Sequence, residues 1–326
     1  MTNKILLCLT LFISIFSCKD KPSERIVSES SGTINNLSLV IDNELWEGSV
    51  GDSIRAIFAT PVVGLPQDEP LFTISQIPPS VFSGFATKSR IILKIEKGKD
   101  ADTKLLKDAF AKPQKLALVT GRTDQELIHE INLNANSIIN AFKAEEIKER
   151  QRQISKSLHS DANIREKLGI ALKFPTAYRI AKETDNFFWI RKDITTGTTN
   201  LMLYELPLDK IQENDSLINQ IISVRDSIGK AHIPGPTDGT YMITDRTYSP
   251  FLYETEIAGR KTYEARSLWD VDGAYMSGPF LFYMLKDEPN NRYLIMEGFA
   301  FAPSVEKRDY VFEMEAIIKS VKFLDK

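Results

Sequence analysis

The sequence predicts an α+β protein, built from antiparallel sheets with amphipathic helices packed on one face. Three observations carry that prediction. Lys261 to Val271 alternates in the two-residue period of a strand. It is followed by an Asp272-Gly273 turn, the apolar run Phe280 to Leu285, and a Pro289-Asn290-Asn291 turn into Tyr293 to Phe301, which together make a meander. Apolar residues recur at helical spacing in three places: Leu127 to Phe142, Leu217 to Ile228 and Tyr310 to Val321. Helices laid on an antiparallel sheet bury both stripes at once.

From the N-terminus, Lys4 precedes a largely apolar run from Ile5 to Phe16, and Ile15-Phe16-Ser17-Cys18 has the form of a lipobox. The run is shorter than the ~20 apolar residues that span a bilayer, and Lys19, Asp20 and Lys21 stop it. Residues 1–17 therefore read as a lipoprotein signal peptide, with lipidation at Cys18 anchoring the protein to a membrane of the cell envelope. Both cysteines, Cys8 and Cys18, fall in this segment. The folded part then has no thiol for a disulfide, a zinc site or a nucleophile. Residues 18–36 are polar and Ser-rich and read as a lipidated flexible tether, reaching about 20 to 25 Å.

Residues 37–157 form an N-terminal α+β half. Leu37 to Ile41 reads as a strand, Asp52 to Ala59 as a helix and Phe72 to Ile77 as an extended piece. Ile91 to Ile95 and Leu116 to Val119 are strands, with a short helix expected around Lys104 to Phe110. Thr123 and Glu126 fit a capping box that opens a long helix, whose apolar stripe gives way to charge over Lys143 to Lys156, near the expected domain junction. Residues 165–326 form a C-terminal α+β domain. Ile180, Phe187 to Arg191 and Leu201 to Leu206 read as strands, the last two joined by the loop Lys192 to Asn200. Asn214 or Asp215 caps a helix that Gly229 ends, and the meander and closing helix follow. Each half ends in strand, glycine and amphipathic helix, as an internal duplication would produce; different strand orders in the two halves would exclude it.

Lys+Arg number 41 against Asp+Glu 44, a formal charge of −3, which gives no basic footprint for nucleic acid. Chemistry-bearing motifs are sparse. His129-Glu130 lacks a second histidine four residues on, where Leu133 stands, so no zincin site forms. His159 and His232 have no triad partners in sequence, and neither a nucleophile elbow nor a phosphate loop occurs. No cofactor is implied. The remaining candidates are Glu264, Arg266 and Asp270 on one strand face and Glu297 on a neighbouring strand. Paired carboxylates there would suit glycoside-type hydrolysis. A solvated outer sheet face would explain the same charges, and on a partly covered face Arg266 would recognise an anion. Trp269, Phe280 and Phe299 read as core.

Glu264-Ala265-Arg266-Ser267-Leu268-Trp269, Gly278-Pro279-Phe280, Glu297-Gly298-Phe299 and Lys307-Arg308-Asp309-Tyr310 resemble an uncharacterised lipoprotein family of Bacteroidota, domain of unknown function 4837. That resemblance implies the anchor and the compartment and brings no activity. The meander and its closing helix are also similar to adaptors of the PsbP and Mog-one type, which bind other proteins. The expected function is a non-catalytic binding or adaptor module in the envelope, acting on a protein or small-molecule ligand through Glu264, Arg266, Asp270 and Glu297. An envelope hydrolase and a structural spacer are the alternatives.

Overall fold

The computed structural model describes residues 27–324, so Cys18, the signal peptide and the first part of the tether lie outside the described residues. The N-terminal elements are β1 (Ser28–Glu29), β2 (Asn36–Val40), α1 (Asn43–Glu47), α2 (Ser49–Phe58), β3 (Thr73–Ile77), β4 (Ile91–Lys97), β5 (Asp102–Lys107), β6 (Ala111–Lys112), β7 (Lys115–Gly121) and α3 (Asp124–Ile154). The C-terminal elements are α4 (Ala162–Leu168), β8 (Ile170–Ala171), β9 (Arg179–Glu183), β10 (Phe187–Ile194), β11 (Gly197–Pro207), α5 (Leu217–His232), β12 (Tyr241–Thr244), β13 (Phe251–Ile257), β14 (Arg260–Asp272), β15 (Ala274–Asp287), β16 (Arg292–Phe301), α6 (Arg308–Ile318) and β17 (Lys322–Phe323).

The C-terminal sheet is the expected antiparallel meander, in the order β12-β14-β15-β16-β11-β10-β9, with β13 also on β14. Helices cover both of its faces rather than one. Along β15 and β16 both faces are apolar, so alternate residues enter two separate cores. Leu281, Tyr283, Leu294 and Met296 meet α6 and the end of α3 on one side. Phe280, Phe282, Tyr293 and Ile295 meet α5 on the other. Gly273, at φ 84, makes the tight β14–β15 turn that a side chain would strain.

The N-terminal sheet is different in kind. Its order is β3-β2-β4-β7-β5, with β2, β3, β4 and β7 mutually parallel and only β5 antiparallel. Ile91, Ile92 and Leu93 are buried on both faces, as a parallel strand demands. The unlike strand orders exclude the duplication. The helix expected at Lys104 to Phe110 is strand β5, because sheet pairing with β7 overrides a weak local preference.

The long helix begins as expected: the Thr123 hydroxyl accepts the Glu126 N–H at 3.2 Å, and Leu127, Ile131, Ile138 and Phe142 are buried. It runs through the charged stretch to Ile154, where Glu145, Glu146 and Glu149 are buried instead of solvated. Glu146 explains why: it pairs with Arg90 at 2.7 Å and takes the Asn35 N–H at 2.7 Å. The same pair corrects the tether, whose last half, from Ser28, is fixed. Arg90 donates to the Gly32 and Thr33 carbonyls, Ser31 N–H to Lys88 at 2.9 Å, and β1 pairs with β6. Composition hides this, because the partners are backbone groups.

Two further expectations shift. The loop Lys192 to Asn200 is mostly strand, turning only at Thr195 and Thr196. The α5 helix starts after Ser216, with Asn214 accepting the Ser216 N–H, and Gly229 lies inside it. A Cβ on Gly229 would stand 2.2 Å from the Met242 carbonyl oxygen, so glycine lets the helix touch β12. Glu69, from the N-terminal half, caps α6 by accepting the Lys307 and Arg308 N–H groups, each at 2.7 Å, which ties the halves together.

Candidate functional site

The four charged residues singled out from sequence do not converge. Glu264 and Arg266 lie on the β14 face that α6 covers. Arg266 donates to Glu264 at 2.5 Å, to Glu315 of α6 at 2.8 Å and to the Tyr283 hydroxyl at 3.2 Å, and Lys319 completes the cluster on Glu315 at 2.6 Å. Arg266 is 6% exposed, so this face is neither solvated nor a surface for a partner. Burial opposes the charge on both main partners, yet Arg266, Lys319 and Lys143 together outweigh it and hold the Glu315 carboxyl well below the usual range. Arg266 in turn stays protonated more firmly than free arginine, burial being overcome by Glu315, Tyr283 and Glu264. Lys143 of α3 faces the same carboxylate; Glu315 attracts its charge, but burial, Arg266 and Lys319 together lower its pKa. The void beside this cluster measures only 30 Å³.

Glu297 points to the opposite face, beneath α5. Arg225 holds it at 2.8 Å, donates to Thr244 at 2.9 Å and stacks over the Phe280 ring at 3.9 Å. Both members are at most 1% exposed. Burial raises the Glu297 pKa against the pull of Arg225, and among the described residues its Oε2 and the buried Tyr204 hydroxyl have no hydrogen-bond partner. Asp270 sits at a bulge between Trp269 and Val271, its carboxylate taking the Val271 N–H at 2.8 Å. No two of these acids face a common cleft, so the paired-acid arrangement is not assembled. Alternation placed Glu264 and Arg266 together correctly; it could not say that a helix covers them.

The histidines are ordinary. His129 is exposed, His159 stacks on Phe174 and His232 on Phe187. Burial lowers the His232 pKa, with Lys182 adding to it. Among the described residues no three His, Cys, Asp or Glu side chains cluster as metal ligands, and no helix is long and apolar enough to cross a membrane.

The feature that sequence reading missed lies past the end of α5, on the Glu297 face. The helix covers part of the sheet and leaves a cup of 620 Å³. Its floor is Trp269 against Phe299, centroids 5.6 Å apart and close to perpendicular, with Phe301 beyond. One wall is Trp189; the other is Ile233 and Pro234 from the chain leaving α5, with Met242 of β12. Met276 and the fully exposed Tyr275 stand at the hairpin tip, and Arg191 and Asp193 mark the rim. Both indole N–H groups are already used: Trp189 donates to Asn200 at 3.0 Å and Trp269 to the Ala300 carbonyl at 3.1 Å. The floor and inner wall of the cup therefore offer aromatic and aliphatic surface with both indole donors satisfied. Trp269, Phe280 and Phe299 are buried as expected, but Trp269 and Phe299 also present surface to this space. The available signal was period-two aromatics at Phe187 and Trp189 and at Phe299 and Phe301, more than one 16-residue helix can cover.

A family model described as Domain of unknown function (DUF4837) matches residues 157–320, half of the chain. The chain belongs to that family. The cup and both buried arginine clusters of the C-terminal sheet are thus built largely within the DUF4837 region, as the motifs around Arg266, Gly278, Glu297 and Lys307 led one to expect. A second model, Domain of unknown function (DUF8532), matches residues 30–155. No curated protein matches. Among solved structures, this chain is similar to LpqN of Mycobacterium tuberculosis, described as involved in cell envelope biogenesis, at 10% identity and a TM-score of 0.28, covering 48% of this chain and 83% of that one. It is also similar to a mutant of the protein Mog1, at 7% identity and a TM-score of 0.29, covering 48% and 92%, and to the Ran-binding protein Mog1p of Saccharomyces cerevisiae, at 8% and 0.28, covering 48% and 91%.

Proposed function

We propose that this protein is a lipid-anchored, non-catalytic binding module of the cell envelope, and that the aromatic cup holds an apolar group of its ligand. The observation that carries the reading is the cup itself: 620 Å³ of largely preformed space lined by Trp189, Trp269 and Phe299 with their polar atoms satisfied. That volume falls in the range of small-ligand sites, about 300–1,000 Å³. Apolar surface left open on a folded domain usually marks a binding site. A pocket of this kind weighs against a spacer role, and the separation of Glu264, Asp270 and Glu297 weighs against a carboxylate hydrolase.

The envelope address rests on Lys4, the apolar run and Cys18. Acyl chains at that sulfur would supply membrane affinity of ~0.8 kcal/mol per buried methylene, without a basic patch. Cys18→Ser should release the protein from membranes; unchanged partitioning would remove the anchor from the proposal. Binding is tested by titrating purified protein with the neutral fluorescent probe N-phenylnaphthylamine. Saturable enhancement that is lost in Met276→Trp, which puts a bulkier ring into the mouth of the cup, supports the reading. No enhancement, or enhancement that Met276→Trp leaves intact, refutes it.

A further inference from the structure

We infer that the ligand of this cup is a single-chain anionic amphiphile: a hydrocarbon tail against Trp189, Trp269 and Phe299, and a carboxylate-type head at Arg191. The inference rests on the cup being a binding site and adds the class of molecule. Its basis is a charge arrangement at the rim. Arg191 on β10 and Arg179 on β9 stand directly opposite each other across the strand pair, so two guanidinium groups share one spot on the same face. Like charges so placed destabilise a sheet unless something compensates them. The compensation is incomplete. A single carboxylate, Asp193, serves both, at 3.1 Å from Arg191 and 3.3 Å from Arg179. Among the described residues the Arg191 side chain makes that one hydrogen bond, through Nε, which leaves its terminal nitrogens to receive an anion.

Arg191 and Asp193 line the same cup as Trp189, two residues apart on one strand face, so head and tail sites are adjacent by construction. Of the neutral polar side chains that line the cup, Asn200 is committed to Trp189 and to Thr198, which leaves the Thr198 and Tyr275 hydroxyls. A neutral polar head would therefore find few groups to satisfy it, and a cationic head would meet excess positive charge.

Calorimetric titration of the protein with sodium dodecanoate, dodecanol and dodecyltrimethylammonium tests this. Dodecanoate should bind at least tenfold more tightly than either of the others. Arg191→Gln should cut dodecanoate affinity about tenfold and leave dodecanol unchanged, while Asp193→Asn, which removes the competing carboxylate, should strengthen dodecanoate binding. Arg179→Gln provides an independent variant should Arg191→Gln unfold. Equal affinity for dodecanoate and dodecanol, or no effect of either arginine substitution, overturns the head-group inference and leaves the cup reading standing. A peptide ending in a Phe carboxylate that outcompetes dodecanoate overturns it also. If none of the amphiphiles binds and Met276→Trp is without effect, the cup reading itself has failed.

Discussion

The two faces of the C-terminal sheet each bury an arginine–glutamate cluster, and they put it to different ends. On one face Arg266 meets Glu264, Glu315 and Tyr283, and α6 with the end of α3 closes over them so tightly that 30 Å³ remains. On the other, Arg225 and Glu297 are covered by α5 alone, and where that helix ends the aromatic cup begins. The first cluster joins β14, β15 and α6, with Lys143 of α3 facing it from the N-terminal half. The second braces one helix to the sheet beside an opening. A buried ion pair is weak evidence of function in either setting, since its desolvation cost can match its attraction. What separates the faces is the extent of cover, and only one leaves room for a ligand.

This contrast breaks most visibly at Arg266. Arg266→Ala should cost about 3–5 kcal/mol in denaturant unfolding, because it strands Glu315 and Glu264 without their partner. Glu297→Ala should cost a similar amount by stranding Arg225, but replacing both members with Arg225→Met and Glu297→Leu should recover most of it. The matching repair is harder at Arg266, where three partners and Lys319 would need to change together.

Next in size is the tie between the halves. Glu69→Ala removes a carboxylate cap from α6 and should cost about 1–2 kcal/mol, read as a shift in unfolding midpoint. Smaller still is an effect of acid. Glu213 bonds Lys261, Tyr263, Lys286 and Tyr293, and the Lys261 hydrogen bond leads in drawing its pKa down to about 2. A carboxyl depressed on folding contributes stability above its unfolded value of 4.5 and loses it as pH falls towards 2. Glu213→Gln should therefore flatten the acid limb of the stability curve between those values. Met276→Trp, on the open face, should change stability by less than about 0.5 kcal/mol while abolishing probe binding.

Much of the C-terminal architecture was legible in the sequence, and the reason is local. Alternation from Lys261 to Val271, the Asp272-Gly273 turn and the Tyr310 to Val321 stripe each state their own secondary structure. The N-terminal sheet was harder, because a buried parallel strand such as Ile91 to Ile95 shows no alternation and its neighbours come from distant sequence. The charged end of α3 misled for a related reason: Glu146 is buried only because Arg90, 56 residues away, meets it. The cup was invisible for the opposite cause. Trp269 and Phe299 look like core in any reading of composition and are buried, and only the position where α5 stops shows that they also form the floor of an open space.

Tryptophan emission tests the central claim most directly. Of the three tryptophans, Trp189 and Trp269 line the cup and Trp46 packs in the N-terminal core. In Trp46→Phe, a brominated long-chain alcohol, neutral and able to quench only on contact, should quench emission saturably. In the Trp189→Phe, Trp269→Phe double variant, where Trp46 alone reports, emission should not change. Quenching absent from the first, or equal in both, would contradict an apolar ligand held in this cup.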